Sequence, residues 1–219
     1  MICVGFAGCE AFDIVIYFSR TLVRLNYPVL IIDISDSEAL KKAIYHGMDL
    51  DSSKDIISYR NIHYLRRCPQ EAELLPYQKG IVLINYGFCP LKELPLTCDS
   101  IYVVMNTYPH IIDKIKSLLS NSEWKTDQFI LLVREIITPD DIDRVSSKVK
   151  LPYDTRKYHL FLDHNDHFCS INCQTQQSFR FITLSSCMKK FIIRSIHDII
   201  PQIKIKKIKK AFTSAGRGR

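Results

Sequence analysis

The sequence predicts a doubly wound α/β domain in which helices cover both faces of a mostly parallel sheet. Its apolar strand segments are continuous rather than alternating, which is typical of strands buried on both faces. Segments with helical periodicity separate those strands, and right-handed crossovers between them give the doubly wound arrangement. The 219 residues are 47% hydrophobic, which suits one domain with a sizeable core.

The first 33 residues predict one strand–turn–helix–strand unit. An apolar run at Met1–Val4 precedes a turn over Gly5–Asp13, an amphipathic helix follows from about Ile14 to Leu25, and Val29–Asp33 forms a second buried strand. In nucleotide-binding chains, such a turn holds the phosphates.

The rest of the chain continues the alternation of strands and helices. Apolar runs bounded by turn residues predict the strands, and helical periodicity or a capping pattern predicts the helices. The predicted strands are Ile57–Tyr59, Ile62–Leu65, Gly80–Gly87, Ser100–Met105, Phe129–Val133, Leu160–Leu162 and Phe179–Leu184, and the predicted helices are Ser35–Ala43, Pro109–Leu119, one that starts at Thr138–Asp141, and Cys187–Ile200.

The formal net charge of +7 belongs to the end of the chain. Residues 189–219 contain ten Lys or Arg residues against the single acid Asp198, whereas residues 1–188 are close to neutral. The eight cysteines are scattered, which favours free thiols in a reducing compartment. Because the sequence has neither a membrane-spanning apolar run nor a signal-peptide pattern, we expect a cytoplasmic protein.

The order and spacing of these segments resemble the MinD/ParA class of P-loop ATPases, which includes the TadZ/CpaE-type proteins of Flp pilus assembly. The class pattern is a strand, the sequence GKGGVGKTT, a helix, and a strand that ends in Asp. Counted back from Asp33 without a gap, Gly5–Asp13 falls on those nine positions. The later strands and the segment Leu151–Asp154 follow in the class order, so the resemblance covers roughly residues 1–200.

Within the loop, the residues that the resemblance assigns to phosphate chemistry are replaced. The Lys that contacts the β- and γ-phosphates is Ala11, the signature Lys is Phe6, and the hydroxyl that ligates Mg²⁺ is Phe12. A loop glycine is Glu10, which together with Asp13 puts negative charge at the start of a helix. We expect Phe6 and Phe12 to fill the space that a nucleotide would occupy.

Outside the loop, the class residues for the metal and the adenine are also replaced. The strand-end Asp is Asn85 and the Asn near the adenine is Arg134, whereas Gly5, Gly8 and Asp33 are retained. We expect these side chains to lie at one edge of the sheet. The sequence therefore predicts no catalytic residue and no cofactor; the alternative is an unorthodox ATPase that binds Mg–ATP.

One further segment concentrates the residue types that bind metals. His164, His167, Cys169 and Cys173 could form a tetrahedral zinc site, but their spacing matches no common zinc pattern. We therefore predict no metal and interpret this segment as a polar surface loop with buried thiols. Cys9 lies near a helix start but is interpreted as structural.

We predict one domain over residues 1–200. A basic tail, either amphipathic or disordered, follows over residues 201–219. As a helix, this tail carries a narrow apolar stripe within a basic face, which is typical of segments that lie on an anionic membrane. The predicted contact residues are Lys204, Lys206, Lys207, Lys209, Lys210 and Phe212. A merely solvated tail is the second interpretation of this segment, and nucleic acid is the third candidate.

These observations and the resemblance together predict a non-catalytic scaffold or localisation factor. It would serve a membrane-associated bacterial assembly of the pilus or secretion type and dock a protein partner of that machine through the surface around the degenerate loop. We expect it at the inner face of the cell membrane, and we expect any homodimer to be independent of ATP. The alternatives are the unorthodox ATPase and a DNA-partitioning accessory protein that binds DNA through its tail.

Overall fold

The computed structural model describes residues 1–44, 56–89, 96–124, 126, 128–152, 155–176 and 179–218. Tyr153 and Asp154 of the predicted Leu151–Asp154 segment, and Arg219 at the end of the predicted tail, lie outside the described residues. The strands are β1 (Ile2–Gly8), β2 (Val29–Asp33), β3 (Ile57–Tyr59), β4 (Ile62–Leu65), β5 (Ile81–Gly87), β6 (Ser100–Met105), β7 (Phe129–Ile136) and β8 (Arg156–Phe161). The helices are α1 (Phe12–Arg24), α2 (Ala39–Ile44), α3 (Glu71–Leu74), α4 (Pro109–Asn121), α5 (Asp140–Ser146), α6 (His164–Thr175), α7 (Ser186–Ile199) and α8 (Ile205–Gly216).

The described strands form one eight-stranded sheet in the order β3-β4-β2-β5-β1-β6-β7-β8. Neighbouring strands are parallel throughout, except that β3 pairs antiparallel with β4. The chain winds outward in both directions from the centre, with β1 between β5 and β6. The predicted doubly wound, mostly parallel α/β fold is therefore confirmed.

Alternate residues of each central strand enter two separate cores. On one face, β1 residues such as Val4 and Phe6 pack with α1, α7 and α8; on the other face, Cys3 and Ala7 lie in the core that includes α4 residues such as Ile115. All residues of β2, β5 and β6 are buried. This burial on both faces explains why those strands read as continuous apolar runs.

Strand β1 is longer than the sequence predicted. Gly5, Phe6 and Gly8 were expected in a turn, but they belong to β1, where Gly5 pairs with Ile101 and Gly8 with Val104 of β6. Pairing with β5 and β6 on both sides extends the strand, so the connection to α1 shrinks to the three residues that precede Phe12.

Two segments before α7 differ from the prediction. The segment from His164 to Cys173 is not a surface loop but part of α6, whose start is capped by the Asp163 carboxylate through the amides of Asn165 and Asp166. The expected strand Phe179–Leu184 is not a strand, although Arg180 forms an isolated bridge with Arg217. Phe179, Phe181 and Leu184 are buried in the core without joining the sheet, whereas Ile182 is exposed.

The segment expected as a tail contains a helix that packs on the domain. The apolar stripe of α8, formed by Ile208, Ala211, Phe212 and Ala215, is buried in the core that α1 and α7 share. Phe212 is only 4% exposed and its ring contacts that of Phe181 at 5.3 Å. The expectation that Phe212 contacts a membrane or nucleic acid is therefore corrected, because its side chain is used inside the protein. In the described part of the chain, no helix combines the length and the apolar character that crossing a membrane requires.

Candidate functional site

A cleft of about 340 Å³ opens at the carboxyl edge of the sheet, where ligands bind in doubly wound folds. It lies next to the start of α1, between the ends of β7 and β8 and the first turns of α6. The described residues that line it are Cys9, Glu10, Phe12, Met105, Asn106, Arg134, Glu135, Leu160, Phe161, Leu162, Asp163, Asp166, His167, Ser170 and Met188.

Two glycines of β1 are required by close packing rather than by a phosphate loop. A Cβ atom on Gly8 would lie 2.3 Å from the carbonyl oxygen of Val104, and its φ of +104° is one that side chains disfavour. A Cβ atom on Gly5 would lie 2.7 Å from the ring of Tyr86. Both residues let neighbouring groups approach the strand.

The start of α1 is satisfied by a carboxylate from the chain itself. The N-cap residue Ala11 offers no side-chain acceptor. The preceding Glu10 turns back instead, and its Oε1 accepts hydrogen bonds from the amides of Ala11 at 3.2 Å and Phe12 at 3.0 Å. Its Oε2 accepts a hydrogen bond from the hydroxyl of Ser37. A negatively charged group thus lies where a helix start would hold an anion.

The two phenylalanines of the expected loop have different surroundings. Phe12 lines the cleft and is 7% exposed; that its ring occupies the space of a nucleotide stays a prediction. The expectation for Phe6 is wrong: its ring stacks on Tyr102 at 5.1 Å and contacts Phe18 edge-on, inside the core. The extension of β1 turns this side chain onto the core face of the sheet.

Arg134 is held by a bidentate ion pair with Asp13. Its Nη1 and Nη2 donate to the two carboxylate oxygens at 2.9 and 2.7 Å, and Nη1 also donates to the carbonyl oxygen of Glu10 at 2.9 Å. Burial alone lowers the pKa of Arg134, but the charge and hydrogen bonds of Asp13 outweigh burial and raise it. The side chain of Asp13 is only 1% exposed.

A bulge in β7 aims Arg134 at the start of α1. The register between β7 and β8 shifts between Val133 and Ile136, and Glu135 has a φ of +58°. Such bulges redirect side chains next to functional sites. The residue at the expected adenine position therefore ties β7 to α1.

Asp33 and Asn85 meet at adjacent strand ends, as their pairing in register requires. The Oδ1 of Asp33 accepts hydrogen bonds from Asn85 Nδ2 at 3.0 Å and from the Ser35 hydroxyl at 2.7 Å. Its Oδ2 is buried and has no hydrogen-bond partner among the described residues. Burial raises the pKa of Asp33, with these hydrogen bonds opposing the rise.

Serine hydroxyls connect these groups along the edge of the sheet. The hydroxyl oxygens of Ser35 and Ser37 lie 3.3 Å apart, and the Ser37 hydroxyl donates a hydrogen bond to the Glu10 carboxylate. Glu10, Asp33 and Asn85 therefore belong to one hydrogen-bonded network, and the carbonyl of Glu10 joins it to Arg134. Burial also raises the pKa of Glu10.

The cysteine and histidine candidates do not meet in one place. Cys169 and Cys173 lie four residues apart on the buried face of α6, whereas His164 and His167 are exposed. No group of three or more His, Cys, Asp or Glu is placed to hold a metal ion within the residues described. Burial raises the pKa of Cys9 to about 11, so its thiol stays protonated near neutral pH.

Asp166 lines the cleft and has a hydrogen-bond partner that sequence reasoning missed. Its carboxylate accepts hydrogen bonds from the amide of Ser185 at 2.6 Å and from the hydroxyl of Ser185 at 2.7 Å, and that hydroxyl caps α7. Burial raises the pKa of Asp166. The sequence shows Ser185 as a capping residue ahead of α7, but no sequence pattern indicates that its partner is Asp166, 19 residues earlier.

Comparison with solved structures finds this fold in MinD/ParA-family ATPases. MinD in the MinC:MinD cell division complex of Aquifex aeolicus superposes with a TM-score of 0.58 at 8% identity, over 93% of this chain and 98% of that one. A plasmid partition protein of Borrelia burgdorferi bound to AMPPNP gives 0.57 at 12% identity, over 92% and 98%. A ParA family ATPase of Chlorobium tepidum gives 0.54 at 11% identity, over 98% of each chain.

These identities are too low to show more than the shared fold. No family model matches the chain, and no curated protein matches it by sequence. The structural class is therefore that of MinD/ParA-type P-loop folds, and the chemistry of the site depends on the residues of this chain alone.

The Asp13–Arg134 ion pair predicts a large loss of stability when one partner is removed. Arg134→Met leaves a buried carboxylate without its counter-charge, and we expect the free energy of unfolding to fall by about 3 kcal/mol. Adding Asp13→Asn to that variant should recover at least about 1 kcal/mol, because the uncompensated charge is removed. Urea unfolding of the three proteins measures both effects.

The matched control is Lys116→Met, which breaks the exposed ion pair with Asp113 and should cost less than about 0.5 kcal/mol. Equal losses for Arg134→Met and Lys116→Met would contradict the structural role of Arg134.

The raised pKa of Asp33 predicts a specific dependence of stability on pH. The folded state holds this proton more tightly than the unfolded state, whose Asp titrates near 3.8. The stabilisation that comes from this tighter proton binding is therefore present at low pH, and it is lost as pH rises through the pKa of Asp33 in the folded state. Asp33→Asn keeps an acceptor for Ser35 and Asn85, and it should be more stable than the parent at pH 7 by about 1 kcal/mol.

Urea unfolding at pH 5 and pH 7 checks this prediction, with the exposed Asp113→Asn as control. The difference in the free energy of unfolding between Asp33→Asn and the parent should be smaller at pH 5 than at pH 7. A variant that is less stable than the parent at pH 7 would show that the Asp33 carboxylate is stabilising.

Proposed function

We propose that this chain is a non-catalytic protein of the MinD/ParA fold that acts as a scaffold or localisation factor. It attaches electrostatically to an anionic membrane surface and docks a protein partner at the carboxyl edge of its sheet. The observation that carries the non-catalytic part is the carboxylate of Glu10 on the first amides of α1.

Charge at the cleft supports the loss of phosphate chemistry. A phosphate at the start of α1 would displace Glu10 or lie against it, and either arrangement costs free energy. The described lining contains four acids, Glu10, Glu135, Asp163 and Asp166, against the base Arg134, which Asp13 already neutralises. No lysine is among these lining residues to offset the repulsion.

Loss of the metal ligands supports the same proposal. Phe12 offers no hydroxyl for Mg²⁺, and Asn85 directs its amide nitrogen at Asp33 as a donor. Mg²⁺ is bound by oxygen ligands, and neither the Phe12 ring nor the Asn85 nitrogen that faces Asp33 supplies one. Charge neutralisation by Mg²⁺ is central to phosphoryl transfer, so these replacements together argue against ATP hydrolysis.

Exposed apolar side chains at the carboxyl edge support partner docking. Large side chains at the ends of β7 and β8 and on α6 are between 39% and 78% exposed; they are Ile137, Phe161, Leu162, Phe168 and Ile171, here called the apolar edge. Contiguous exposed apolar patches mark interaction sites, and Phe161 and Leu162 line the cleft itself. Because Glu135 and Asp163 lie beside them, the partner segment should be apolar with basic flanks. A homodimer through this edge would not require ATP.

The exposed lysines of α8 support membrane attachment. Lys206, Lys207, Lys209 and Lys210 and the preceding Lys204 are exposed, whereas the apolar stripe is buried against α1 and α7. Attachment is therefore electrostatic and does not require apolar residues to insert into the lipid. The resemblance to TadZ/CpaE-type proteins extends this proposal to a pilus or secretion assembly at the inner face of a bacterial membrane.

The non-catalytic proposal predicts that ATP leaves the protein unchanged. Phosphate release from Mg–ATP should equal that of buffer, and the mass measured by light scattering should be the same with and without Mg–ATP. The physical reason is the absence of both counter-charge and metal ligands at the start of α1. Turnover that Asp33→Asn abolishes, or an ATP-driven dimer, would overturn the proposal in favour of an unorthodox ATPase.

The attachment proposal predicts salt-sensitive binding to anionic vesicles. Each lysine near such a surface contributes about 1 kcal/mol. The triple variant Lys206→Gln, Lys209→Gln, Lys210→Gln should therefore bind vesicles of phosphatidylglycerol and phosphatidylcholine about 100-fold more weakly. Co-sedimentation measures the partition, and phosphatidylcholine alone should bind neither protein.

The matched control replaces three exposed lysines elsewhere: Lys116→Gln, Lys148→Gln and Lys150→Gln. Equal losses of vesicle binding in both triple variants would show that the net charge of the protein, and not the lysines of α8, determines the binding. Salt-dependent binding to duplex DNA in place of vesicles, lost in the α8 variant, would instead support the DNA-partitioning alternative.

A further inference from the structure

The start of α8 presents an apolar side chain between lysines at the surface. Ile205 is 45% exposed, and its neighbours Lys204 and Lys206 are exposed as well. Lys209 and Lys210 continue this exposed surface one turn later, because residues four positions apart lie on the same side of a helix. We call these five residues the basic face. An apolar residue with basic flanks is the chemistry expected of a partner at the apolar edge.

The charges of the basic face have no counter-charge in the described part of the chain. None of its four lysines forms an ion pair with a described residue. The last acid of the sequence is Asp198, which pairs with Arg156. The first turn of α8 contains no acid, and the N-cap residue Lys204 provides no side-chain cap, although a helix start favours negative charge. A carboxylate from outside the chain is therefore stabilised at this end of α8.

The carboxyl edge supplies the complementary charge. Glu135 is exposed and forms no ion pair with a described residue. Its positive φ of +58° in the β7 bulge is a strained conformation of the kind that occurs at functional sites. Asp163 accepts hydrogen bonds from the amides of α6, and these neutral donors do not cancel its charge. Two carboxylates thus lie beside the apolar edge and attract lysines.

The basic face and the apolar edge lie at opposite edges of the sheet. Gln202, which precedes α8, donates a hydrogen bond to the hydroxyl of Tyr27 at 3.2 Å. Tyr27 lies at the amino edge, where the chain passes from α1 to β2. The cleft opens at the carboxyl edge, and its described lining includes no residue of α8. One chain therefore cannot bring its own two surfaces together, whereas two copies can.

We propose that the basic face of one copy docks on the apolar edge of a second copy. Ile205 packs against exposed apolar side chains such as Leu162, and the lysines beside it pair with Glu135 and Asp163. Each copy uses two different surfaces at opposite edges, so the contact is heterologous and extends into an open chain of copies. The inference rests on the proposed docking function of the apolar edge, and it names the partner as this chain itself.

Sedimentation of the whole protein measures this association. The mean mass should rise with protein concentration at low salt and return to that of the monomer at about 1 M sodium chloride, where the charges are screened. Glu135→Lys blocks the edge, and Lys206→Glu with Lys209→Glu blocks the basic face. Each variant should associate about 100-fold more weakly than the parent, because like charges then face each other.

The matched control is Lys148→Glu with Lys150→Glu, which reverses the same number of charges on another exposed surface. This variant should associate like the parent. Equal losses in the control and in the variant of the basic face would overturn the proposal, since net charge alone would then govern the association.

A mixture of the two blocked variants tests the heterologous geometry. Glu135→Lys keeps an intact basic face, and the variant of Lys206 and Lys209 keeps an intact apolar edge, so one working contact remains between them. We expect a complex of two chains and no larger species. Its formation also shows that both variants are folded. Combining the three substitutions in one chain reverses both charges and should restore the open chains.

Three results would overturn the proposal. They are a parent that stays monomeric at every concentration, a parent that stops at two copies, and a mixture of the blocked variants that forms no complex. The first removes the association itself, the second indicates a closed symmetric dimer, and the third separates the association from these two surfaces.

The outcome is separable from that of the proposed function. Glu135→Lys keeps every lysine of α8, so its binding to anionic vesicles tests membrane attachment alone. A parent that stays monomeric but binds such vesicles would overturn this inference and leave the attachment standing. A parent that forms open chains but binds no vesicles would do the reverse.

Discussion

The hydrogen bonds from the amides of Ala11 and Phe12 to the Glu10 carboxylate are the interaction on which the carboxyl edge depends. A helix start has free amides and a positive dipole end, and some acceptor must satisfy them. In this chain the acceptor comes from the residue immediately before the N-cap. Once Glu10 is in place, its carbonyl oxygen is positioned to accept from Arg134, and Arg134 in turn neutralises the buried Asp13. Helix α1, β1 and β7 are thereby locked together without a ligand.

Helix α1 also connects the two ends of the molecule. Its first residue lines the cleft, its last turns carry Arg20 and Arg24 at the amino edge of the sheet, and α8 packs beside it. The carboxyl edge is acidic and the amino edge is basic.

Some of the site could be predicted from sequence because strand order determines it. Asp33 ends β2, and Asn85 lies opposite it near the end of the neighbouring parallel strand β5, so their contact follows once both strands are recognised. Phe6 was misplaced because the length of β1 depends on pairing with β6, which no local pattern reveals. The position of Arg134 depends on a bulge, which is equally invisible in the sequence.

The last helix illustrates a different limit. Its helical periodicity predicts an apolar face, but periodicity does not indicate which surface covers that face. The sequence favoured a membrane, whereas Phe212 packs on Phe181 of the same chain. The segment from His164 to Cys173 was misread as a loop because its polar composition hid the Asp163 cap, whereas its buried thiols were predicted correctly.

The most direct measurement is a crystal structure of the protein soaked with millimolar Mg–ADP. The account predicts that Glu10 keeps its hydrogen bonds to the amides of Ala11 and Phe12 and that no phosphate lies at the start of α1. Density for a phosphate on those amides, with the Glu10 carboxylate displaced, would contradict it.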